Sequence, residues 1–295
     1  MKRIQTAAYF LVLASLLFAC QQDDVASGTG KLALSVTDSP IDAINVKAVY
    51  VTFTGLEYQN SGGNWTTATE FTKAQVINLL DLQNGKTSLL GEFNLNSGEY
   101  TGLRFKLDAP SRGANTPSNP GCYVELTSGE KKPLFVPSGS QSGYKANGNF
   151  TVPINGTVAV TADFDLRKSV VLTGSGSTYI LNPTLKIIVN NQAGEIKGTI
   201  SNLVSTSKYI IYVYEKDQYK ANESNEPSGE NVMFPNAITS TKLDSNGNYQ
   251  FSFLAAGSYD LILVSESSVG ISTVEKTIAG VIVESKKSTL VNSSL

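Results

Sequence analysis

Asp163 and Asp165 stand at alternate positions of a run that reads as a strand, so both carboxyls leave one face. Paired carboxyls serve acid–base or metal chemistry, as in glycoside cleavage, where the two groups sit roughly 5–10 Å apart. The neighbouring Arg167 and Lys168 offer a plainer reading, in which the acids belong to a charge set on the surface or at a sheet edge. The chain contains no histidine. That removes the commonest general base, the Ser-His and Cys-His nucleophile pairs and nearly every catalytic zinc site. Asp244-Ser-Asn-Gly-Asn248 has the residue types of a calcium loop, but its spacing fails. Gly247 comes fourth where an EF-hand needs glycine sixth, and Ala255 stands where the closing glutamate belongs. The same residues fit a hairpin turn, since Asn-Gly tolerates positive φ at both central positions. No catalytic residue, cofactor or metal ligand is assigned, and the chain is read as a non-enzyme.

Two aromatics are candidate ligand contacts able to stack on a sugar ring. Trp65 follows Ser61-Gly-Gly-Asn64, and Tyr219 lies in a polar stretch from Glu215 to Asn231. The alternative for a strand-adjacent Trp is a place in the core. The Glu215–Asn231 stretch exceeds an ordinary hairpin connection and is itself a candidate contact surface.

Cys20 and Cys122 are the only cysteines. Lys2 and Arg3 precede an apolar run from Ala7 to Ala19, broken only by Ser15 and closing on Leu17-Phe18-Ala19-Cys20. The run is too short for a stable membrane span, and no later segment approaches the roughly 18 apolar residues a span needs. The closing order resembles a bacterial lipobox, in which signal peptidase cuts before the cysteine and its thiol and new amine are acylated; Phe18 is the less usual residue in it. The resemblance implies a lipoprotein signal peptide at 1–19 and lipidation at Cys20. Residues 20–29 then form a flexible tether with a reach of about 17 Å. Several acyl chains on one cysteine anchor stably, because each buried methylene contributes about 0.8 kcal/mol. Asp23 and Asp24 resemble the acidic export tags of surface lipoproteins in some Gram-negative bacteria, or else belong to a solvated linker. The expected location is the bacterial outer membrane, lipid-anchored and facing outward, with the periplasmic face as the alternative. With Cys20 acylated, Cys122 is the sole thiol. It reads either as a small buried residue beside Tyr123 or as an exposed thiol pairing between molecules.

Loss of Lys2 and Arg3 leaves 21 basic against 25 acidic residues, with neither a basic stripe nor a lysine-rich tail. Nucleic acid is therefore not an expected partner. Thirteen Tyr, 25 Gly and many Val, Ile and Thr describe β-structure punctuated by turns. Lys31-Leu-Ala-Leu-Ser-Val36 alternates as a half-buried strand should, and Val46–Tyr58, Tyr100–Leu107, Val158–Phe164 and Tyr179–Val189 continue the series. Short strands at regular spacing without helical interludes point to an antiparallel sandwich or open barrel rather than a parallel sheet.

Five blocks in order sharpen this. Leu32-x-Leu34-x-Val36-Thr-Asp38-x-Pro40 comes first, then Gly98-Glu-Tyr100-Thr-Gly-Leu103-Arg104. Val136-Pro-Ser-Gly139 with Gln141-Ser-Gly143 follows, then Asp163-Phe-Asp165 with Lys168-Ser-Val170, then Tyr179-Ile-Leu-Asn-Pro183. Together they resemble the bacterial lipoprotein family called domain of unknown function 4382, over residues about 29–190. The resemblance implies an all-β lipoprotein domain with no assigned activity and no catalytic residues.

A second region opens with Gly194-Glu-Ile-Lys-Gly-Thr-Ile200 and continues through Tyr209–Tyr214, Tyr249–Phe253 and Leu261–Val264. It resembles the small prealbumin-like modules found beside carboxypeptidases and in bacterial surface proteins. Such modules sometimes carry a lysine–asparagine cross-link, for which Lys197 and Asn292 are placed; but Leu263 stands where the family's catalytic Glu belongs, so no cross-link is expected. Gly98-x-Tyr100 and Gly257-x-Tyr259 echo each other without a sustained period.

The expectation is an all-β chain of two antiparallel β-sandwich domains, Ig-like or prealbumin-like, at 30–190 and 194–295 after the signal peptide and tether. The expected function is binding or adhesion, with a glycan or an envelope protein as partner. The alternatives are an accessory structural subunit of an envelope or fimbria-like assembly and, third, a carboxylate-based hydrolase.

Overall fold

The computed structural model describes residues 28–39, 45–110, 121–137, 143–173, 178–182, 185–225, 232–267 and 272–295. Cys20, its flanking sequence and most of the tether lie outside the described residues. Among the described residues, no helix is long and apolar enough to cross a membrane.

The first part of the chain contributes β1 (Thr29–Ser39), β2 (Val46–Asn60), β3 (Trp65–Thr67), β4 (Gln75–Asn78), β5 (Ser88–Asn96), β6 (Gly98–Leu107) and β7 (Tyr123–Leu126). It continues through β8 (Lys131–Phe135), β9 (Tyr144–Val152), β10 (Thr157–Asp165), a helical turn α1 (Leu166–Ser169), β11 (Val170–Thr173), β12 (Thr178–Leu181) and β13 (Leu185–Val189). These strands form one sheet in the order β11-β12-β8-β7-β2-β6-β9-β13-β10-β1-β5, with β3 and β4 paired onto β2.

The alternation read from the sequence sets the faces. Leu32, Leu34 and Val36 of β1 are fully buried, while Lys31 is exposed and Ala33 and Ser35 between them are half-buried. Phe53 of β2 and Phe164 of β10 are four strands apart along the sheet, which in a flat sheet would separate them by about 19 Å. Their ring centroids are 5.9 Å apart, edge to face. The sheet therefore curls back on itself, and Phe105 and Tyr144 complete the aromatic centre it encloses. Most pairs are antiparallel, but β1 runs parallel to β10 over nine register positions, from Lys31↔Thr157 to Ser39↔Asp165. That departs from the wholly antiparallel expectation. Alternation fixes which side chains face inward and is the same for either strand direction.

The second part contributes β14 (Ala193–Ser201), β15 (Lys208–Glu215), β16 (Thr239–Lys242), β17 (Asn248–Ala255), β18 (Gly257–Glu266), β19 (Ser272–Val283), β20 (Ser288–Leu290) and β21 (Ser293–Ser294). They make two sheets, β16-β15-β18-β19 and β17-β14-β20, the latter with β21 also on β14. Ile196, Ile211, Val213, Phe251, Leu261 and Leu263 fill the space between them. This is the two-sheet packing expected of a prealbumin-like module.

The Gly-x-Tyr echo is structural. Tyr100 donates its hydroxyl to the Asn96 carbonyl at 2.9 Å, and Tyr259 donates to the Ala255 carbonyl at 2.8 Å. In each case the acceptor is the last residue of the preceding strand and one residue separates the strands. Neither β5 with β6 nor β17 with β18 forms a ladder, so each corner carries the chain from one set of strands to another. A buried Tyr locks that change of direction by satisfying a carbonyl the ladder has left.

Asp244-Ser-Asn-Gly-Asn248 likewise links two sheets rather than closing a hairpin. Gly247 alone of its central pair has positive φ, at 78°. Asp244 Oδ1 accepts from the Asn246 and Asn248 amides, both at 2.8 Å. The Asn248 amide and side chain hold the Asp244 carboxyl below its usual range. The acid is thus used by the turn itself.

Candidate functional site at the domain junction

β10 ends at Asp165, whose carboxylate caps α1 by accepting from the Lys168 amide at 3.3 Å. Leu166, the first residue of α1, donates its amide to Asp38 Oδ1 at 3.3 Å. Arg167 is thereby aimed out of the first domain into the second. Its Nη1 donates to the Met233 and Phe234 carbonyls at 2.9 and 2.7 Å, and Nη2 donates to the Ala237 carbonyl at 3.3 Å. The guanidinium carbon lies 5.5 Å from the Tyr212 ring centre, and Asp165 is within 3.8 Å. Arg167 is 2% exposed. Lys168 Nζ adds a bond to the Ala237 carbonyl at 2.7 Å, and Lys186 Nζ reaches the Ile238 carbonyl at 3.4 Å. A buried guanidinium is tolerated because its fork can serve several acceptors at once.

The receiving loop is itself braced. Phe234 has φ 51°, is fully buried and stacks on Tyr212 at 4.2 Å. Beneath it, the Glu223 carboxylate accepts from the Tyr214 hydroxyl at 3.0 Å and from the amide and side chain of Asn236, each at 3.1 Å. Burial alone would raise the Glu223 pKa; the bonds from Asn236 and Tyr214 outweigh it and hold the group below its ordinary value.

Beside this clamp the two domains enclose a cleft of about 800 Å³. Thr37, Asp163 and Lys186 line it from the first domain, and Glu215, Thr241 and Phe253 from the second. Thr241 donates its hydroxyl to Asn84 across the boundary. Next to Asn84, Gly85 has φ 77°, a conformation that favours glycine, and a Cβ there would press on the Ser252 hydroxyl across the boundary. Asp163 is half-buried in the wall, and no described residue donates a hydrogen bond to its carboxyl. Desolvation pushes its pKa up to about 6; Asp165 adds to the rise and Lys186 opposes it. Lys168 is shifted down, first by burial and then by Arg167 and Lys186, against the pull of Asp165.

The sequence-read candidates fall in different places. Asp163 and Asp165 do share a face, but at a domain junction and not on a surface or sheet edge. Asp165 is 4% exposed and engaged by Arg167 and Lys168, while Asp163 looks into the cleft. Trp65 lies over Gly102 of β6, where a Cβ would come within 3.1 Å of the indole. The Arg104 guanidinium sits 4.1 Å from its ring centre and Lys145 Nζ 5.8 Å. The half-buried indole thus rests in part on the first domain's own cations and glycine. Tyr219 packs edge-on against Tyr214 at 5.3 Å and belongs with Phe234 to a small apolar cluster. Residues 226–231 of the polar stretch lie outside the described residues. Cys122 is buried, and burial drives its thiol up to about 12, far from a reactive thiolate. Lys197 pairs with Glu195 at 3.3 Å, and Asn292 accepts from the Thr199 amide at 3.0 Å, so the two are separately engaged. Among the described residues no group of three His, Cys, Asp or Glu could hold a metal ion.

Arg167 and Phe253 were not singled out in the sequence. Arg167 sits in an ordinary charged run, and its acceptors lie 66 to 70 residues further on. Phe253 completes an alternating strand, Tyr249-Gln-Phe-Ser-Phe253, and reads as core. In the structure it has φ 62° and stands where the β14–β17 register shifts, outside every apolar cluster among the described residues.

The family model described as Domain of unknown function (DUF4382) matches residues 29–183, from β1 to the end of β12. The chain belongs to this family. No curated protein matches it. Among solved structures, the Bacillus anthracis TIE protein aligns at 12% identity over 90% of this chain and 34% of its own, with a TM-score of 0.21. A leucine-rich repeat protein from Bacteroides thetaiotaomicron aligns at 11% identity over 90% of this chain and 26% of its own, also at 0.21. GBS52, the minor pilin of Streptococcus agalactiae, aligns at 12% identity over 90% of this chain and 94% of its own, at 0.22. This chain thus spans about a third and a quarter of the first two. TM-scores this low do not establish a shared arrangement of strands.

Proposed function

We propose that this family member is a lipid-anchored lipoprotein of a bacterial outer membrane, facing outward, that captures a ligand without transforming it. The cleft carries the reading: its walls come from both domains, and the buried Arg167 fixes the junction beside it, so the cavity is preformed rather than assembled on binding. The Leu17-Phe18-Ala19-Cys20 sequence supports the anchor. The engagement of Asp165 by Arg167 and Lys168 supports a non-catalytic role, because the two aspartates do not face a common substrate as free acid and base.

Growth of a Gram-negative host with radiolabelled palmitate, followed by protease treatment of intact cells, tests the placement. The parent chain is expected to be labelled and degraded, and Cys20→Ala unlabelled. An unlabelled parent removes the anchor, and a labelled but protected parent turns the protein to the periplasmic face. A glycan array tests capture. Silence there, with envelope proteins co-purifying, favours the second reading, an accessory subunit of an envelope or fimbria-like assembly. The observation on its side is β19, a 12-residue strand at the end of its sheet with a ladder partner on one flank only among the described residues.

A further inference from the structure

Phe253 is the one feature of the cleft that folding does not explain. A bulky aromatic residue with φ 62° occupies the left-handed region, where its Cβ crowds the backbone and where glycine or asparagine is the ordinary choice. Such a conformation persists when the surroundings impose it, and it clusters at sites of binding and catalysis. Burial does not repay it here. Phe253 is half-buried, contributes to no apolar cluster among the described residues, and lines both the main cleft and a smaller cavity of about 410 Å³ beside it. At this register shift Phe253 joins the lining of a cavity that also holds Asp163, whose carboxyl has no donor among the described residues. Around them stand the Lys186 ammonium, the Glu215 carboxyl and the amides of Asn84 and Gln250.

We propose that the interdomain cleft binds an uncharged sugar, with Phe253 stacked on the apolar face of a pyranose ring and Asp163 and Lys186 bonding its hydroxyls. A sugar ring presents C–H groups on one face and hydroxyls around its rim. It therefore matches a wall with one aromatic plane and a ring of mixed acceptors and donors. The lining sets the carboxyls of Asp38, Asp163 and Glu215 against the single ammonium of Lys186, which disfavours an anionic ligand. The volume lies within the range of small-ligand sites. This assignment rests on the capture reading above and gives it a ligand class and a place.

The test is calorimetric titration of the full chain with uncharged tetra- to hexasaccharides of glucose, mannose, galactose and xylose, alongside Phe253→Gly, Phe253→Tyr and Asp163→Asn. At least one sugar is expected to bind the parent. Phe253→Gly is expected to weaken it at least tenfold while melting no more than a few degrees away from the parent, because glycine accepts this backbone without strain. Phe253→Tyr should stay within threefold, and Asp163→Asn should lose at least fivefold. A sugar that binds the parent and both weakening variants alike overturns the site and leaves the capture reading standing. A parent that binds none of the sugars overturns the ligand class.

Discussion

On one side of the domain boundary Arg167 is sealed beneath the second domain, with three carbonyls, an aromatic face and a carboxylate around it. On the other, Asp163 stands two residues upstream of Asp165, half-buried in a cleft, with no described donor on its carboxyl. Both lie at the end of β10 or one turn beyond it. Burying a charge is costly in either place, but the partners differ: Arg167 donates to three carbonyls, with only Nε left over, while no described residue donates to the Asp163 carboxyl. A satisfied buried charge is what joins domains. One without a described donor, in a cleft that also carries an aromatic held in a disfavoured backbone conformation, is what a binding site contains before its ligand arrives.

Breaking the sealed side should have the largest effect. Arg167→Ala removes the donor to the Met233 carbonyl, thins the bonding of the Phe234 and Ala237 carbonyls and takes one charged partner from Asp165, a loss of about 3–5 kcal/mol. Calorimetry should then resolve two melting transitions where the parent shows one, and Arg167→Lys should recover only part of the loss, because an ammonium cannot serve a fork of acceptors. A single unshifted transition would mean that the clamp does not couple the domains.

The open side should respond to pH with the opposite sign from an ordinary salt-bridged acid. The folded Asp163 carboxyl titrates at about 6, above its value of 3.8 in the unfolded chain. Below both values the group is protonated in either state and contributes nothing. As pH rises from about 4 to about 6 the unfolded chain ionises first, so stability falls, and above about 6 the full penalty persists. It amounts to at most about 3 kcal/mol, less whatever solvent reaching the half-buried group screens away. Asp163→Asn should flatten this part of the profile and melt higher than the parent at pH 7. Thermal melts between pH 4 and 8 decide it; an unchanged profile in the variant would assign the pH response elsewhere.

The smallest effects compare the domains through their tyrosine corners. Tyr100→Phe and Tyr259→Phe each remove one hydroxyl bond to a strand-end carbonyl, worth about 0.5–1.5 kcal/mol. Chemical denaturation in the Arg167→Ala background, where the domains melt apart, should place each loss in its own transition. Both losses appearing in one transition would show that the corners do not act domain by domain.

Much of the fold was legible from alternation. Leu32, Leu34 and Val36, or Leu103, Phe105 and Leu107, announce a buried face because side chains on a strand alternate whatever its partner. Strand direction was not legible, so the parallel pairing of β1 with β10 appears only in three dimensions. Tyr219 and Trp65 show the same limit for aromatics: composition flags a ring, but Tyr214, Phe234, Gly102 and Arg104, which occupy these rings, are brought to them by the fold. Asp163 was found because its spacing from Asp165 is a local fact, yet its place in the cleft, without a described donor, is not.

The sequence by itself determined the class: an all-β chain, rich in turns, without histidine, whose apolar residues alternate at strand spacing because burial of one sheet face demands it. Only the tertiary structure decided which charges are satisfied and which are not. Arg167 and its acceptors are far apart along the chain and meet by packing, and desolvation depends on everything that surrounds a group rather than on its neighbours in the chain.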